Sequence, residues 1–155
     1  MQYISEKDLH PADFLKDWRD NTAGAVVLFS GETRIDSNNK TVDYLFYESH
    51  TPLAEKYISD IIESAKNKWQ LAFAHAVHRV GKVSVGECAV VVITASKHRK
   101  EAYAANQYII DRIKHEAPIW KCEYYTDGAH VWGGNCNCFE KTKDVTKHVY
   151  DFEAK

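Results

Sequence analysis

The stretch KHEAPIWKCE, from Lys114 to Glu123, decides how the C-terminal half of this chain folds. It follows a long helical pattern and leads through a proline into a β-rich run. A helix should end before Pro118, because the proline ring lacks an N–H donor and restricts the residue before it. The chain should then be extended, and we predict a strand over 119–125. The stretch therefore predicts a helix, a corner and a strand in direct succession.

Lys114 and Lys121 flank this corner, seven residues apart. A fully extended segment of that length would separate them by roughly 23 Å, whereas a bend at Ala117-Pro118 would fold Lys121 back towards Lys114. Two amines in one partly desolvated pocket would form an anion-binding site, and each would lower the pKa of the other. The alternative is that both are solvated surface lysines beside a helix end.

The remaining chain is rich in strands and has two long helical patterns. The helix over 98–115 carries an apolar stripe at the helical period, and a second helix begins at Thr51-Pro52 with Leu53 and Tyr57 among its expected core residues. Residues 11–20 predict a short first helix and 31–40 a loop. Further strands are predicted over 24–30, 41–48, 71–78, 87–96 and 129–132. Because strands and helices do not alternate strictly, we predict an α+β fold with a mixed or antiparallel sheet and two main helices.

Length and composition indicate one ordinary globular domain. We assign residues 1–135 to it and 136–155 to a polar tail that is irregular or partner-dependent, within a chain of 155 residues. A formal charge of −2 argues against a general nucleic-acid or membrane binder. The apolar runs are too short to span a bilayer, and the N-terminus has no signal-peptide pattern. Four cysteines without such a signal predict reduced thiols in a cytoplasmic protein.

Three further basic groups lie at predicted element ends, where phosphate groups are commonly bound. Arg34 follows a strand, His78-Arg79 closes another, and His98-Arg99 opens the second long helix. Free N–H groups at a helix start add to the positive charge of such side chains, and arginine adds bidentate hydrogen bonds. Each also has a structural explanation: Arg34 could be a plain loop residue, His78 a satisfied core histidine, and His98 a helix-start residue.

The cysteines do not predict a metal site. Cys122, Cys136 and Cys138 have the spacing C-x13-C-x-C near His130, which fits none of the usual zinc knuckles. Along the predicted strand Cys122 alternates with Lys121, so the two should point to opposite faces and Cys122 should be a buried thiol rather than a nucleophile. Trp120 could form a pocket wall, but we expect it in the core. The common nucleotide-binding and metalloprotease motifs are also absent from the sequence.

Several segments, in this order and spacing, resemble the large, catalytic subunit of molybdopterin synthase, the MoaE family. The resemblance covers roughly residues 5–134, and its motifs together are specific although each alone is weak. They are GAVVLFSGETR (24–34), VDYLFYESHTPLAEKYI (42–58), HRVGKVSVGE (78–87), ITASKHRKEAY (93–103), IKHEAPIWKCE (113–123) and DGAHVWGGN (127–135). Leu53 stands where the family commonly has methionine, and the residues from Cys136 onward match no motif of the family.

The resemblance implies an α/β-hammerhead fold and a sulfur-transfer reaction. Members of the family convert cyclic pyranopterin monophosphate to molybdopterin by installing a dithiolene. The sulfur comes from a ubiquitin-like small subunit that carries a C-terminal Gly-Gly thiocarboxylate and threads its tail into the pocket of the large subunit. The family forms a heterotetramer on a central dimer of large subunits, and no metal or organic cofactor is implied for the reaction.

Carried over by position, Lys114 and Lys121 match the two lysines associated with catalysis. Arg34, His98 and Arg99 match residues that line the pterin and phosphate pocket, some of them contributed across the dimer. His78 and Arg79 match a family motif without a defined contact to substrate. Two other functions remain open on the residues themselves: an acyl or phosphoryl transferase with the same basic pocket, and a non-catalytic pterin-binding or scaffold protein.

Overall fold

The computed structural model describes residues 2–134, so the predicted tail over 136–155 lies outside the described residues. Within residues 2–134 the chain is α+β, as predicted, and combines two long helices, a short one and nine strands. In chain order these elements are β1 (Ile4–Ser5), α1 (Pro11–Asp17), β2 (Ala25–Glu32), β3 (Asp36–Ser37), β4 (Lys40–Ser49), α2 (Thr51–Trp69), β5 (Phe73–Arg79), β6 (Gly81–Ser84), β7 (Cys88–Ser96), α3 (Arg99–Glu116), β8 (Ile119–Tyr125) and β9 (His130–Gly134).

One sheet forms the centre of the molecule. Its strand order is β1-β5-β7-β2, with β1 parallel to β5 and the other neighbours antiparallel. All nine residues of β7 are buried, because α3 packs against β7 and β2 while α2 packs against β5. A continuous apolar run of this kind is typical of a strand covered on both faces.

A second sheet carries the residues of the predicted lysine corner. Its order is β3-β4-β8-β9, and β6 pairs with β4. Tyr47 of β4 lies opposite Lys121 of β8, which in turn lies opposite Gly133 of β9. Within the described chain β9 pairs only with β8, so β9 forms one edge of this sheet.

The two long helices contribute most of the predicted core. The stripe of α3 is fully buried at Ala102, Ala105, Ile109 and Ile113. On α2 the prediction is confirmed for Ile58, Ile61, Ile62 and Ala65 but wrong for Leu53 and Tyr57, which are 41% and 39% exposed. The buried stripe of α2 begins at Ala54 instead and continues through Ile58, and Leu53 and Tyr57 lie beside this stripe.

The predicted loop over 31–40 is partly wrong. The strand β2 extends to Glu32, and β3 and β4 form a small hairpin around Asn38 and Asn39, whose φ angles are 52° and 59°. Asparagine tolerates this left-handed conformation better than most residues, and two such residues in succession suit a two-residue hairpin turn. No helix within residues 2–134 is long and apolar enough to cross a membrane.

Candidate active site

The corner after α3 folds the chain back on itself. The helix ends at Glu116, the N–H of Ala117 still donates to the carbonyl of Ile113 at 3.2 Å, and β8 begins at Ile119. The carbonyl of Pro118 accepts from the N–H of His50 at 3.1 Å, which fixes the corner against the start of α2. Lys114 and Lys121 consequently line the same cavity, as the folded-back alternative predicts.

This cavity, the lysine cavity, has a volume of about 140 Å³. Lys114 comes from α3, Lys121 from β8, and Arg34 from the exposed loop between β2 and β3. Three cationic side chains from separate parts of the sequence thus meet in one place. The remaining lining residues are Glu32, Asp36, Ser37, Val42, Leu45, Tyr47 and Glu123.

Glu123 holds the ammonium group of Lys121. Its Oε1 lies 2.7 Å from Nζ of Lys121, and the two side chains are only 9% and 16% exposed. Its Oε2 accepts a hydrogen bond from the hydroxyl of Tyr125 at 2.7 Å. Burial would raise the pKa of Glu123, but the hydrogen bonds from Lys121, Tyr125 and Ser37 outweigh burial and hold this pKa below its usual value. Glu123 is therefore an anion that fixes the position of Lys121.

Lys114 has a different environment. Burial is the main cause that lowers its pKa, and the positive charge of Lys121 lowers it further, while Asp111 acts in the opposite direction. An amine with a lowered pKa exchanges its proton more readily near neutral pH. The lowered pKa of Lys114 thus suits it to proton transfer.

His78 lies behind the lysine cavity rather than in it. It is 1% exposed, its Nδ1 is 2.8 Å from the carbonyl oxygen of Arg79, and its ring meets Tyr47 edge-on at 4.9 Å. Tyr47 lines the cavity, and burial together with the charge of Glu123 raises the pKa of its hydroxyl. This placement agrees with the core-histidine alternative for His78.

Arg79 ties the N-terminal segment to the β6–β7 turn. Its guanidinium lies 2.7 Å from Asp8 and 2.9 Å from Glu87, and the residue is 8% exposed. The cavity that Arg79 lines adjoins the lysine cavity, since Glu32 lines both. Two carboxylates already engage its charge, so this geometry gives Arg79 a structural role.

His98 and Arg99 lie at the far end of α3 from the lysine cavity. His98 precedes the helix, Arg99 is its first residue, and both are exposed. The 15 residues from Arg99 to Lys114 correspond to about 22 Å along the helix axis. One chain alone therefore does not bring His98 and Arg99 to Lys114.

An apolar groove runs between these two ends of α3. It has a volume of about 740 Å³ and lies between α3 and the edge strand β2. Tyr103 projects from it and is 65% exposed. The lining residues are Val27, Leu28, Phe29, Lys100, Tyr103, Ala104, Asn106, Gln107, Ile110 and Asp111.

Sequence reasoning missed Glu123 and misplaced Trp120. The two-residue period of a strand places Glu123 on the same face as Lys121, and this signal could have identified it. The same period predicts Cys122 on the opposite face, where it is fully buried as expected. Trp120 shares that opposite face but is 46% exposed, so its prediction as a core residue is wrong. Among the elements described in residues 2–134, no helix packs extensively against β8.

Comparison with known proteins gives a consistent result. A family model described as MoaE protein matches residues 4–116, which include Lys114 and end before Lys121. The molybdopterin synthase catalytic subunit of Thermoplasma volcanium is 41% identical over 129 residues, covering 83% of this chain and 94% of that protein. The subunit of the same name from Staphylococcus aureus is 39% identical over 120 residues, covering 77% of this chain and 81% of that protein.

Solved structures agree with the sequence matches. The crystal structure of molybdopterin synthase from Staphylococcus aureus superposes with a TM-score of 0.80 at 34% identity, covering 86% of this chain and 96% of that one. The MoaE protein of Burkholderia ambifaria superposes with a TM-score of 0.70 at 27% identity, covering 86% of this chain and 88% of that one. The fold is thus shared with these proteins over 86% of the chain.

Proposed function

We propose, because this chain belongs to the MoaE protein family, that it is the catalytic subunit of a molybdopterin synthase. Its relatives carry that name over most of both chains, and the described fold matches theirs. The proposed reaction is supported by one observation: Lys114, Lys121 and Arg34 line the same small cavity.

The proposed reaction transfers sulfur to cyclic pyranopterin monophosphate and builds the dithiolene of molybdopterin. The donor is the C-terminal thiocarboxylate of a ubiquitin-like small subunit, and two such partners are consumed in turn. Both the thiocarboxylate and the cyclic phosphate are anions, so their approach requires positive charge that is already in place. In the lysine cavity this charge comes from the side chains of Lys114, Lys121 and Arg34.

The two lysines have separate roles in this proposal. Lys121, held by Glu123 at 2.7 Å, meets the thiocarboxylate end of the partner. The thiocarboxylate sulfur bonds to a carbon of the pterin side chain, and water then cleaves the resulting thioester, which leaves the sulfur on the pterin and releases the partner as a carboxylate. Opening the cyclic phosphate breaks a carbon–oxygen bond, and the departing phosphate oxygen needs a proton or a compensating charge. Lys114 donates that proton, since its pKa is lowered by burial and by Lys121.

Arg34 binds the phosphate in this scheme. It lies in the exposed loop after β2 and lines the same cavity as both lysines. A guanidinium offers two parallel hydrogen bonds to a phosphate, which a lysine does not. Its exposed position allows the phosphate to enter from solvent before the partly buried lysines act.

His98 and Arg99 join the site from a second copy of the chain. A copy that packs antiparallel along the α3–β2 groove would bring its own helix start near Lys114, although the two ends of α3 are about 22 Å apart within one chain. The half-exposed apolar lining of the groove suits such a contact between copies. The assembly is then a central dimer with one small subunit bound to each half, working in the cytoplasm.

Product formation separates this function from the alternatives. We would combine the protein with cyclic pyranopterin monophosphate and the small subunit, either thiocarboxylated or with an ordinary carboxylate, and quantify molybdopterin as its fluorescent oxidised derivative. The proposal predicts product only with the thiocarboxylate. Pterin binding without product, with substrate and partner proven competent on a known synthase, would favour a pterin-binding protein. Transfer of an acyl or phosphoryl group without sulfur would favour the transferase.

A further inference from the structure

We infer that the hydroxyl of Tyr47 is a second catalytic donor beside Lys121, and that the two hold the acyl oxygen of the partner while water cleaves its thioester. This inference rests on the proposed function, because it assigns a further residue to one step of that reaction. Tyr47 belongs to the strand β4, lines the lysine cavity and is 5% exposed.

The pairing of β4 with β8 brings Tyr47 and Lys121 together. The two residues lie directly opposite each other in antiparallel strands, and such residues project from the same face of a sheet with their Cβ atoms about 5 Å apart. Both side chains line the lysine cavity. One ligand atom in this cavity can therefore contact both the hydroxyl and the ammonium group.

The chain itself leaves the hydroxyl of Tyr47 without a hydrogen-bond partner among residues 2–134. Glu123, whose charge acts on this hydroxyl, already accepts at both oxygens, from Lys121 at 2.7 Å and from Tyr125 at 2.7 Å. Buried tyrosine hydroxyls usually have a hydrogen-bond partner. A hydroxyl that lines the lysine cavity unpaired is therefore free to bond to the substrate.

The surroundings of Tyr47 keep its hydroxyl a donor at a fixed position. Burial, and after it the charge of Glu123, raises the pKa of Tyr47 above its ordinary value of 10.0, so the hydroxyl stays protonated at neutral pH. The ring of the buried His78 packs edge-on against the ring of Tyr47 at 4.9 Å and limits its movement. A neutral donor held in this way suits a carbonyl oxygen that gains negative charge during a reaction.

Lys121 supplies the other donor. An ammonium group has three N–H bonds, and the contact with Glu123 at 2.7 Å uses one of them, which leaves two for a ligand. The hydroxyl of Tyr47 and one N–H of Lys121 then form an oxyanion site, in which two donors from neighbouring strands meet at one oxygen. Such a site stabilises the tetrahedral intermediate of acyl transfer.

The step served by this site is the cleavage of the thioester between the terminal carbonyl carbon of the partner and the pterin sulfur. Water adds to that carbon and gives a proton to the solvent, while one electron pair of the C=O double bond moves onto the oxygen held by Tyr47 and Lys121. The double bond then re-forms, and the carbon–sulfur bond breaks with its electron pair left on the sulfur. The partner leaves as a carboxylic acid, which loses its proton to the solvent.

Tyr47→Phe tests the inference, because it removes the hydroxyl and keeps the ring. In a single turnover with the protein in excess over thiocarboxylated small subunit, and with cyclic pyranopterin monophosphate present, mass spectrometry of quenched samples follows the thiocarboxylate, the thioester with the pterin, and the carboxylate. We expect the thiocarboxylate to disappear within about twofold of the wild-type rate, and the carboxylate to appear at least about tenfold more slowly, so that the thioester accumulates. A purely structural role of Tyr47 would not cause this accumulation.

Tyr57→Phe is the matched control. It removes the hydroxyl of a tyrosine on α2 that is 39% exposed and does not line the lysine cavity, and it should leave both rates unchanged. Tyr47→Phe should melt no lower than the wild type, since its hydroxyl forms no hydrogen bond with residues 2–134 that the substitution could remove. Thermal unfolding followed by circular dichroism checks this expectation.

Two results would overturn the inference. One is release of the carboxylate by Tyr47→Phe at the wild-type rate. The other is slower release without accumulation of the thioester, because the hydroxyl would then act before the thioester is cleaved. If the wild-type chain forms no product from a partner and a substrate that are competent with a known synthase, the proposed function itself has failed. The two failures are therefore distinguishable.

Discussion

Nζ of Lys121 lies 2.7 Å from Oε1 of Glu123, on one face of the strand β8. The carboxylate is 9% exposed and its second oxygen is held by Tyr125, so the pair is fixed from both sides. A buried carboxylate that loses its partner costs far more free energy than an exposed one. The position of the proposed catalytic amine is therefore coupled to the stability of the second sheet.

Glu123→Gln should change both the position of Lys121 and the stability of the protein. The amide keeps the size of the side chain and can still accept from Tyr125, but it no longer neutralises Lys121. We expect the free energy of unfolding to fall by about 1–3 kcal/mol and the rate of molybdopterin formation to fall at least tenfold. Urea unfolding and the fluorescence assay measure the two effects.

Glu63→Gln is the matched control for Glu123→Gln. Glu63 is 65% exposed and lies 3.6 Å from Lys66 on the surface of α2. Removing such a pair should change the free energy of unfolding by less than about 1 kcal/mol and leave turnover unaltered. Equal effects in the two variants would show that Glu123 has no special relation to the site.

Lys114→Met should stabilise the protein while abolishing its activity. The pKa of Lys114 is lowered in the folded chain from an ordinary value of 10.5, so below the folded pKa both states carry the proton and the buried charge opposes folding in full. The variant should gain roughly 0.5–2 kcal/mol at neutral pH. This gain should shrink as the pH rises through the folded pKa towards 10.5.

Urea unfolding of Lys114→Met and of the wild type at a series of pH values checks this prediction. Lys56→Met, an exposed change on α2, serves as control and should alter the free energy of unfolding by about 0.5 kcal/mol or less. A loss of stability in Lys114→Met at neutral pH would mean that the lysine stem contributes more through packing than its charge costs.

Arg34→Ala should weaken pterin binding with little effect on the fold. Arg34 is exposed in a loop and lines the lysine cavity, so its removal takes away phosphate contacts and leaves the core intact. We expect the KM for cyclic pterin to rise roughly tenfold or more, and the stability to change by about 0.5 kcal/mol or less. Arg19→Ala, an exposed arginine beyond α1, should leave KM unchanged. An unaltered KM in Arg34→Ala would remove its phosphate role.

Mixed dimers test whether Arg99 acts across the interface. Lys114→Ala and Arg99→Ala chains should each be inactive alone. When they are unfolded together and refolded in equal amounts, half of the dimers are mixed, and one of the two sites in each mixed dimer keeps both residues. Activity should then return to about a quarter of the wild-type level. No recovery, with mixed dimers demonstrated by mass spectrometry, would place Arg99 outside the shared site.

Local patterns in the sequence specify much of the fold. The helix α3, the strand β8 and the corner between them follow from the apolar stripe, Pro118 and the β-rich run after it. The sequence does not predict the four-residue strand β6, because Gly81, its first residue, and Gly86, shortly after its end, indicate a turn. Its strand conformation comes from pairing with β4, a partner more than thirty residues earlier in the chain.

The sequence predicts Lys114, Lys121 and Arg34 as site residues, and the structure brings these three to one cavity, but the geometry of the cavity does not follow from the sequence. The period of a strand explains why Lys121 and Glu123 share a face, but the approach of Lys114 depends on the direction of the corner, which tertiary packing decides. The sequence also does not predict that Trp120 and Trp132 are exposed. Both are apolar enough for a core, but no described helix packs extensively over their face of the sheet. The separation of His98 from Lys114 follows from the length of α3 and becomes visible only in the structure.

The central claim is that Lys121 acts in sulfur transfer rather than in binding the pterin. A single-turnover reaction of Lys121→Ala with cyclic pyranopterin monophosphate and the thiocarboxylated small subunit, alongside calorimetric titration of the pterin, tests this directly. We predict that pterin affinity stays within about threefold of the wild type while product formation falls by a factor of at least about 100. Product formation at the wild-type rate by Lys121→Ala would contradict the account.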